Sequence, residues 1–329
     1  MTTAEILASF PKIAALVVGD ICLDRWCSYD PATAEPSRET GIPRIGVVAT
    51  EVTPGGGGTV ANNLVALRAG RVAVLGVRGD DGFGFELTRA LEARGVSTDL
   101  MVPEPSLSTF TYTKVINSKT GIEDRPRLDF ITTRPIPEQV ERRILNRLEA
   151  TASGYDVILV SDQAETDHGG VVTPAVRALL ADLAGRHPER ILWIDSRKRL
   201  ELFRKVIVKA NQQEVETACG SLFGHTDYQR LRQHVQSKLL MVTQGAKGVL
   251  VVEEGRETQA PTRQIEKPVD ICGAGDSFSA GAALALAVTG SPSEAARFGN
   301  LVASITIMKK GTGTASPQEV LAAEGAARR

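Results

Sequence analysis

Short, nearly continuous apolar runs alternate with helix-length amphipathic segments along most of the chain. Residues 13–19 form such a run, and its unbroken apolar character is typical of a strand buried on both faces of a sheet. Similar runs lie at residues 72–76, 155–161, 190–195, 205–208, 239–243 and 249–252. Helical patterns lie at residues 59–69, 83–94, 137–150, 173–186, 226–236, 274–289, 293–308 and 316–326. This alternation predicts an α/β fold with a doubly wound, mainly parallel sheet that is flanked by helices.

Two stretches interrupt the alternation of strands and helices. Residues 44–52 and 110–117 are rich in β-forming side chains, and no helical pattern follows either of them directly. We expect them to form a small antiparallel sheet, a β lid from about residues 40–53 and 108–131, which projects from the main domain. No linker rich in Pro, Gly or Ser divides the chain, so residues 1–329 are predicted to form one domain.

The composition excludes several functional classes. The chain has 38 Lys and Arg against 39 Asp and Glu, so it offers no net basic surface for nucleic acid or an acidic membrane. No apolar run approaches the roughly 18 residues that a membrane span requires, and the N-terminus lacks the basic and apolar regions of a leader. The four cysteines form no disulfide framework and show no zinc-binding spacing. We therefore expect a cytoplasmic protein with reduced thiols.

The most informative pattern is the segment D-I-C-G-A-G-D-S-F, which begins at Asp270 and opens a helix rich in Ala and Gly. A helix start leaves backbone N–H groups unpaired and carries the positive end of the helix dipole, so it is suited to bind an anion. Gly273, Ala274 and Gly275 let the backbone approach a phosphoryl group closely. Asp276 can then accept a proton from an attacking hydroxyl. The alternative is an ordinary glycine-rich helix start capped by Asp276, and the longer pattern disfavours it.

This segment resembles the D-T-x-G-A-G-D signature of the ribokinase-like, or PfkB, carbohydrate kinases. The resemblance implies a ribokinase-like fold, an anion hole formed by the three residues that precede Asp276, and Asp276 as the catalytic base. Ile271 and Cys272 depart from the signature, because the family more often carries hydroxyl residues there. The backbone N–H of Cys272 remains available, so we expect this departure to modify the anion site without abolishing it.

Three further segments match the family's nucleotide-binding motifs in the expected order. Asn211 and Glu214 form an N-x-x-E motif, which the family places near the Mg²⁺–triphosphate. Mg²⁺ prefers oxygen ligands, often through water, and Glu214 would supply negative charge to that network. The residues implied to bind ATP are Asn211, Glu214, Thr243, Gly245, Gly248 and Asn300. Each motif alone also has a structural explanation. The resemblance implies ATP and Mg²⁺ as cofactors and leaves a monovalent-cation requirement open.

The N-terminal half is expected to hold the acceptor sugar. Asp24 follows the first predicted strand, and family members grip sugar hydroxyls with an Asp at this position. Gly56, Gly57, Thr59 and Asn63 lie in a glycine-rich loop that runs into a helix and resembles the family's substrate loop. Most members carry Asn in place of Thr59. The structural alternatives are a solvated loop for Asp24 and a helix N-cap for Thr59.

Within the family, the sequence is most similar to the kinase domain of bacterial heptose-7-phosphate kinases. The similarity is carried by G-D-I-C-L-D-R from Gly19, R-L-D-F from Arg127, the pair Ser161 and Asp162, and G-T-G-T-A-S-P from Gly311. The chain departs after Asp162, where those enzymes usually have Tyr-Ala-Lys-Gly and this chain has Gln-Ala-Glu-Thr. A lysine beside the acceptor pocket is therefore missing.

An arginine group is a candidate site for a phosphate already on the sugar, because the guanidinium matches phosphate geometry with paired donors. The group comprises Arg127 with Arg38, Arg44, Arg125 and Arg134. The alternative is a solvated loop in which neighbouring acidic residues balance these charges. The sequence leaves both interpretations open.

The sequence predicts an ATP-dependent carbohydrate kinase that phosphorylates a hydroxyl of a sugar or sugar phosphate. A kinase of a free sugar or nucleoside is the first alternative, and a non-catalytic sugar- or nucleotide-binding protein is the second. Asp276 argues against the non-catalytic protein, which has no chemical need for that carboxylate. A Rossmann dehydrogenase is excluded because no G-x-G-x-x-G follows the first strand. A P-loop kinase is excluded because the chain contains no G-x-x-x-x-G-K-[ST].

A homodimer is the expected assembly. A small sheet that projects alone would leave apolar side chains and strand edges in water, among them Ile45, Val47, Phe110 and Tyr112. Pairing two lids across a two-fold axis would bury both surfaces, and members of the family often dimerise in this way.

Overall fold

The computed structural model of the protein describes residues 1–166 and 168–327. The strands are β1 (Ala14–Gly19), β2 (Ile21–Tyr29), β3 (Glu35–Pro36), β4 (Pro43–Arg44), β5 (Val47–Gly56), β6 (Arg71–Leu75), β7 (Val77–Gly79), β8 (Val102–Glu104), β9 (Thr111–Asn117), β10 (Leu128–Phe130), β11 (Val157–Asp162), β12 (Ile191–Ser196), β13 (Ile207–Asn211), β14 (Leu240–Thr243), β15 (Val249–Glu253) and β16 (Arg256–Ala260). The α-helices are α1 (Thr3–Ser9), α2 (Gly57–Ala66), α3 (Gly82–Glu92), α4 (Glu138–Thr151), α5 (Pro174–Arg186), α6 (Gln212–Phe223), α7 (Tyr228–His234), α8 (Ala274–Thr289), α9 (Pro292–Thr306) and α10 (Pro317–Ala327).

An eight-stranded sheet in the order β16-β15-β14-β13-β12-β11-β1-β6 forms the centre of the fold. The strands from β14 to β6 pair in parallel, whereas β15 and β16 add to the edge in antiparallel. The α/β class and the mainly parallel sheet are therefore confirmed. Helix α6 and strand β16 were not predicted, because their mixed polar sequences carry no clear period.

Apolar side chains pack on both faces of this sheet in two clusters. Along β1, Val17 belongs to one cluster, and Leu16 and Val18 belong to the other. Helices α2, α8 and α9 contribute to the first cluster, and helices α4, α5 and α6 contribute to the second. Because each central strand is covered on both sides, its sequence is a continuous apolar run instead of an alternating one.

A second sheet has four strands in the order β10-β9-β2-β5. Strands β5, β9 and β10 come from the two stretches predicted for the lid, but β2 comes from a segment that the sequence analysis placed in a loop. Strand β2 pairs with β9 in parallel and with β5 in antiparallel, so the expectation of a purely antiparallel sheet was wrong. Ile45 and Val47 are exposed as expected, whereas Phe110 and Tyr112 are partly buried and stack on each other.

The connection between the two sheets explains why β2 was missed. Only Asp20 separates the end of β1 from the start of β2. Gly19 has a φ of 127°, and a side chain there would collide with the backbone oxygen of Ser161. Glycine thus permits a sharp change of direction without the usual run of turn residues. As a result, β2 carries Asp24 away from the main sheet while keeping it close to the carboxyl end of β1.

Among the residues that the structure describes, none of the helices combines the length and the apolar composition that a membrane crossing requires.

Candidate active site

The start of helix α8 carries the glycine-rich segment. Gly273 occupies the N-cap position in the left-handed region with a φ of 75°, and it provides no side-chain cap. The N–H of Ala274 donates to the Ile271 carbonyl oxygen at 3.2 Å. Within residues 1–166 and 168–327, the N–H groups of Gly275 and Asp276 have no hydrogen-bond acceptor. These two groups, rather than that of Ala274, are therefore available to an anion at the helix start.

Asp270 holds the loop that leads into this helix. Its carboxylate accepts hydrogen bonds from the backbone N–H of Cys272 at 2.9 Å and of Gly311 at 3.1 Å. These contacts hold the loop before α8 to itself and to the segment at Gly311. Asp270, the first Asp of the motif, therefore has a structural role. Cys272 is exposed, so the change from a hydroxyl residue leaves its backbone contact intact.

The Asp276 side chain lies one turn into α8 and accepts no hydrogen bond from any residue that the structure describes. Burial, and after it the nearby negative charge of Asp195, raise the pKa of its carboxyl to about 7. The Lys209 ammonium opposes this increase. A carboxyl that titrates near neutral pH and is free of hydrogen bonds has the properties of a general base.

A cavity of about 200 Å³ lies on one side of the start of α8, and we call it the acceptor cavity because residues predicted to bind the acceptor line it. Its lining includes five residues predicted for the acceptor or catalytic site: Asp24, Gly56, Thr59, Arg127 and Asp276. Burial raises the pKa of Asp24 to about 6, whereas Lys114 and Arg127 lower it. Strands β2 and β9 of the second sheet, the junction of β5 with α2 and the start of α8 thus meet around one space.

Gly57 and Asn63 do not line this cavity. The N–H of Gly57 donates to the Asp20 carbonyl oxygen at 3.0 Å, and Asn63 is fully buried with its Nδ2 on the Thr59 carbonyl oxygen at 3.0 Å. Both residues hold the shape of the loop and helix α2. The N-cap of α2 is Gly56, so Thr59 does not cap it. Thr59 lines the cavity, and its hydroxyl donates to the Pro54 carbonyl oxygen at 3.3 Å.

The cavity also contains basic residues that the sequence analysis did not select, namely Arg25, Lys114 and Arg197. Arg197 donates to Glu165 at 3.0 Å, and Arg127 donates to Asp129 at 2.9 and 2.6 Å. The Lys114 Nζ lies 3.9 Å from the nearest Glu123 oxygen, which is a loose contact. Each of these side chains comes from a strand or loop whose local sequence gives no sign of a site.

Most of the predicted arginine group lies elsewhere. Arg127 lines the cavity, but Arg44 pairs with Glu35, and the Arg125 guanidinium lies 5.6 Å above the Tyr29 ring. Arg38 and Arg134 do not line the cavity either. Of the five arginines, Arg127 thus keeps the position expected of a phosphate-binding residue, whereas Arg44 fits the alternative in which an acidic neighbour balances the charge.

A second cavity of about 500 Å³, which we call the nucleotide cavity, lies on the other side of the start of α8. Five of the six residues implied to bind ATP line it: Asn211, Thr243, Gly245, Gly248 and Asn300. Gly275 and Ala274 line this cavity, whereas Gly273 and Asp276 line the acceptor cavity. The first turn of α8 therefore separates the two spaces and contacts both.

Glu214 is the sixth residue, and it forms a capping box with Asn211. The Asn211 Oδ1 accepts the N–H of Glu214 at 2.8 Å, and the Glu214 Oε2 accepts the N–H of Asn211 at 2.7 Å. Burial and the charge of Asp195 raise the pKa of Glu214. Asn300 also has a structural contact, because its Nδ2 donates to the Ala260 carbonyl oxygen at 3.0 Å.

Lys209 was not predicted, although it lines the nucleotide cavity beside Gly275. It lies in the middle of strand β13 next to Asp195 of β12, and its Nζ donates to the Asp195 Oδ2 at 2.6 Å. Burial lowers the pKa of Lys209, but the Asp195 charge and hydrogen bond outweigh burial and raise it overall. A single Lys directly after a short apolar run gives no sequence signal.

The donor set suits a Mg²⁺ ion that is held mainly by phosphates. In the described part of the chain, no three His, Cys, Asp or Glu side chains form a metal-binding group. Mg²⁺ at phosphate-transfer sites usually keeps several waters and needs only one or two carboxylates. Glu214, close to the charges of Asp195 and Lys209, is suited to contact such an ion through water.

Comparison with known proteins agrees with this geometry. Residues 195–319 match the model of the pfkB family carbohydrate kinases. The bifunctional protein HldE of Trichlorobacter lovleyi is 32% identical over 318 residues, which cover 94% of this chain and 62% of that protein. HldE of Geobacter sulfurreducens is 31% identical over 328 residues, which cover 98% of this chain and 65% of that protein. The chain thus spans less than two thirds of these relatives.

Solved structures share the fold. Ribokinase from Thermotoga maritima superposes with a TM-score of 0.71 at 20% identity, covering 95% of this chain and 99% of that one. Phosphofructokinase-2 from Escherichia coli, in complex with substrates and products, superposes with a TM-score of 0.71 at 20% identity, covering 96% of this chain and 100% of that one. Residues 195–319 thus match the pfkB family of carbohydrate kinases, and the whole chain shares the fold of these solved structures.

Proposed function

We propose that the protein transfers the γ-phosphoryl group of ATP to a hydroxyl of a sugar phosphate. The observation that carries this proposal is the position of Asp276. Its carboxyl, with a pKa raised to about 7, faces the acceptor cavity from the helix turn that also borders the nucleotide cavity. A base placed between an alcohol and a triphosphate is what phosphoryl transfer to a hydroxyl needs.

The reaction is an in-line displacement. Asp24 and Thr59 hold the sugar so that one hydroxyl lies beside the Asp276 carboxylate, which accepts its proton. The hydroxyl oxygen forms a bond to the γ-phosphorus while the bond to the β,γ-bridging oxygen breaks, and ADP leaves. The free N–H groups of Gly275 and Asp276 stabilise the charge on the transferring group. Because this reaction depends on positioning and electrostatics, fixed backbone donors supply much of the catalysis.

Mg²⁺ bound to the triphosphate would neutralise part of its charge, and Glu214 would hold it through water. Asn211, Thr243, Gly245, Gly248 and Asn300 would surround the nucleotide. Phosphofructokinase-2 from Escherichia coli has been solved in complex with potassium, and that observation applies to that enzyme. A monovalent-cation requirement and a cytoplasmic location remain predictions for this chain.

The charge around the acceptor cavity favours a phosphorylated sugar over a free one. Arg25, Lys114, Arg127 and Arg197 line a space of about 200 Å³. Lys114 makes only a loose ion pair, so its ammonium is available to a phosphate. It adds an ammonium group to a cavity that lacks the lysine expected after Asp162. The resemblance to heptose-7-phosphate kinases and the similarity to the HldE proteins support the same substrate class.

The direct test is a screen for ADP release from Mg²⁺–ATP over sugars and sugar phosphates, followed by Asp276→Asn on the best substrate. The substitution keeps the size of the side chain and removes the base. We expect turnover to fall by about 10²–10⁴-fold, with normal ATP binding and a folded protein.

Asp182→Asn, an exposed substitution on α5, serves as the control and should keep wild-type activity. Near-normal turnover of Asp276→Asn would contradict the proposed role of this carboxylate. If the wild-type protein releases no ADP with any of the sugars or sugar phosphates, the kinase activity itself is contradicted.

The phosphate-binding role of the cavity predicts the effect of Lys114→Met. Removing the ammonium should raise KM for the sugar phosphate by about tenfold or more, because a charge-assisted hydrogen bond contributes roughly 1.5–3 kcal/mol. KM for ATP should stay unchanged. Lys119→Met, at an exposed lysine that follows β9 and does not line the cavity, is the matched control.

The opposing result is informative about the substrate. If free pentoses, hexoses or nucleosides outperform every sugar phosphate, and Lys114→Met leaves their KM unchanged, the acceptor is unphosphorylated. The carbohydrate kinase assignment would then stand without its phosphate-binding part.

We also propose a homodimer that forms through the second sheet. Val47, Val48, Leu128 and Phe130 of this sheet are 50%, 59%, 58% and 41% exposed. These side chains lie on the two edge strands of the sheet, β5 and β10, and exposed apolar edges are typical of a surface that another protein copy covers. Light scattering should give twice the chain mass of 35.1 kDa at micromolar concentration.

Val48→Asp should lower the measured mass to that of one chain, because it places a charge in the proposed dimer interface. Leu202→Asp changes an exposed Leu outside this sheet and should leave the dimer intact. A wild-type mass of one chain would rule out the dimer.

A further inference from the structure

Lys209 has an environment that stability alone does not explain. The residue is 4% exposed, and its Nζ has one hydrogen-bond partner among the described residues, the Asp195 Oδ2 at 2.6 Å. An ammonium group carries three N–H donors. Asp195 therefore leaves two donors of a buried charged group without a protein acceptor, which is costly unless a ligand accepts them.

The Lys209 ammonium lies against the first turn of α8, since a Cβ atom on Gly275 would lie 2.8 Å from its Nζ. The negative charges of Asp195, Glu214 and Asp276 keep the ammonium protonated in this buried position. The N-terminus of a helix carries partial positive charge and attracts anions. The ammonium and the helix start thus lie side by side, where an anion can contact both.

The position of Lys209 relative to the cavities identifies the anion. Lys209 lines the nucleotide cavity together with Asn211 and Gly275, and Asp276 lies across the same helix turn in the acceptor cavity. The group that passes between these two spaces in the proposed reaction is the γ-phosphoryl group. A cation beside Gly275 is placed to contact its oxygens while the bonds change.

We propose that Lys209 is a catalytic residue of this kinase, whose ammonium contacts the γ-phosphoryl oxygens during transfer, and that Asp195 is the residue that positions it. The proposal rests on the proposed function and adds a named charge to it. The acceptor oxygen bonds to the γ-phosphorus, the bond to the β,γ-bridging oxygen breaks, and Asp276 takes the proton. Lys209 stays protonated throughout and stabilises the negative charge on the transferring oxygens.

Asp195 aligns Lys209 through strand register. The two residues are partners in the parallel pairing of β12 and β13. A carboxylate 2.6 Å from the ammonium keeps it charged in a buried position and fixes its direction. Gly275 completes the arrangement, because any larger residue would occupy the space that the ammonium uses.

The test compares Lys209→Met with the double variant Lys209→Met/Asp195→Asn. The single variant leaves the Asp195 carboxylate buried without its partner, so it is expected to be less stable. The double variant has two uncharged side chains of similar size, and its melting temperature should recover. Lys238→Met, at an exposed lysine, controls for the loss of a lysine in general.

If Lys209 stabilises the transferring group, kcat should fall by about 10²–10³-fold in both variants. KM for ATP should change by less than about threefold, because the interaction strengthens in the transition state. A purely structural ion pair predicts a different result, since the double variant would then regain both stability and kcat.

A double variant with near-wild-type kcat would overturn the proposal, as would a loss confined to KM for ATP. The wild-type screen for ADP release comes first and separates the two claims. An inactive wild type would refute the kinase and this proposal together. An active wild type with an active double variant would refute the role of Lys209 alone.

Discussion

The desolvation of a few charges at the start of helix α8 is the constraint on which the site depends. Asp195 and Lys209 lie close enough to Asp276 to change its proton affinity, and Asp195 and Asp276 change that of Lys209. In a low-dielectric environment such interactions are far stronger than in water. The parallel strands β12 and β13 bring two of these charges together, and the glycines before Asp276 let the helix approach them.

This arrangement has a cost in stability. A carboxyl whose pKa is raised to about 7 in the folded protein binds its proton more tightly there than in the unfolded chain. Between about pH 4 and pH 7 the folded state therefore holds more protons, and the free energy of unfolding decreases as pH rises through this window. Asp24 and Asp20, whose pKa values are raised to about 6, act in the same direction. The protein thus keeps charges that weaken the fold at neutral pH, as functional sites commonly do.

The sequence predicted the parts of the fold and site that depend on local pattern. The buried strands follow from continuous apolar runs, and the anion site of α8 follows from glycines that only a close backbone approach requires. Lys209 and Lys114 could not be predicted in this way. Lys209 meets Asp195 through the register of two strands, and Lys114 reaches the cavity because β9 pairs with a strand that was itself missed. Asp24 was selected by resemblance, but its place on β2 depends on the turn at Gly19.

The central claim is that Asp276 accepts the proton of the acceptor hydroxyl, and the pH dependence of kcat/KM tests it most directly. In the wild type, kcat/KM should fall tenfold per pH unit below about pH 7, because only the deprotonated carboxylate acts as the base. The residual activity of Asp276→Asn should lack this inflection and retain only the titration of the substrate phosphate. The same inflection in both proteins, or a wild-type profile that stays flat well below pH 7 while the protein remains folded, would contradict the account.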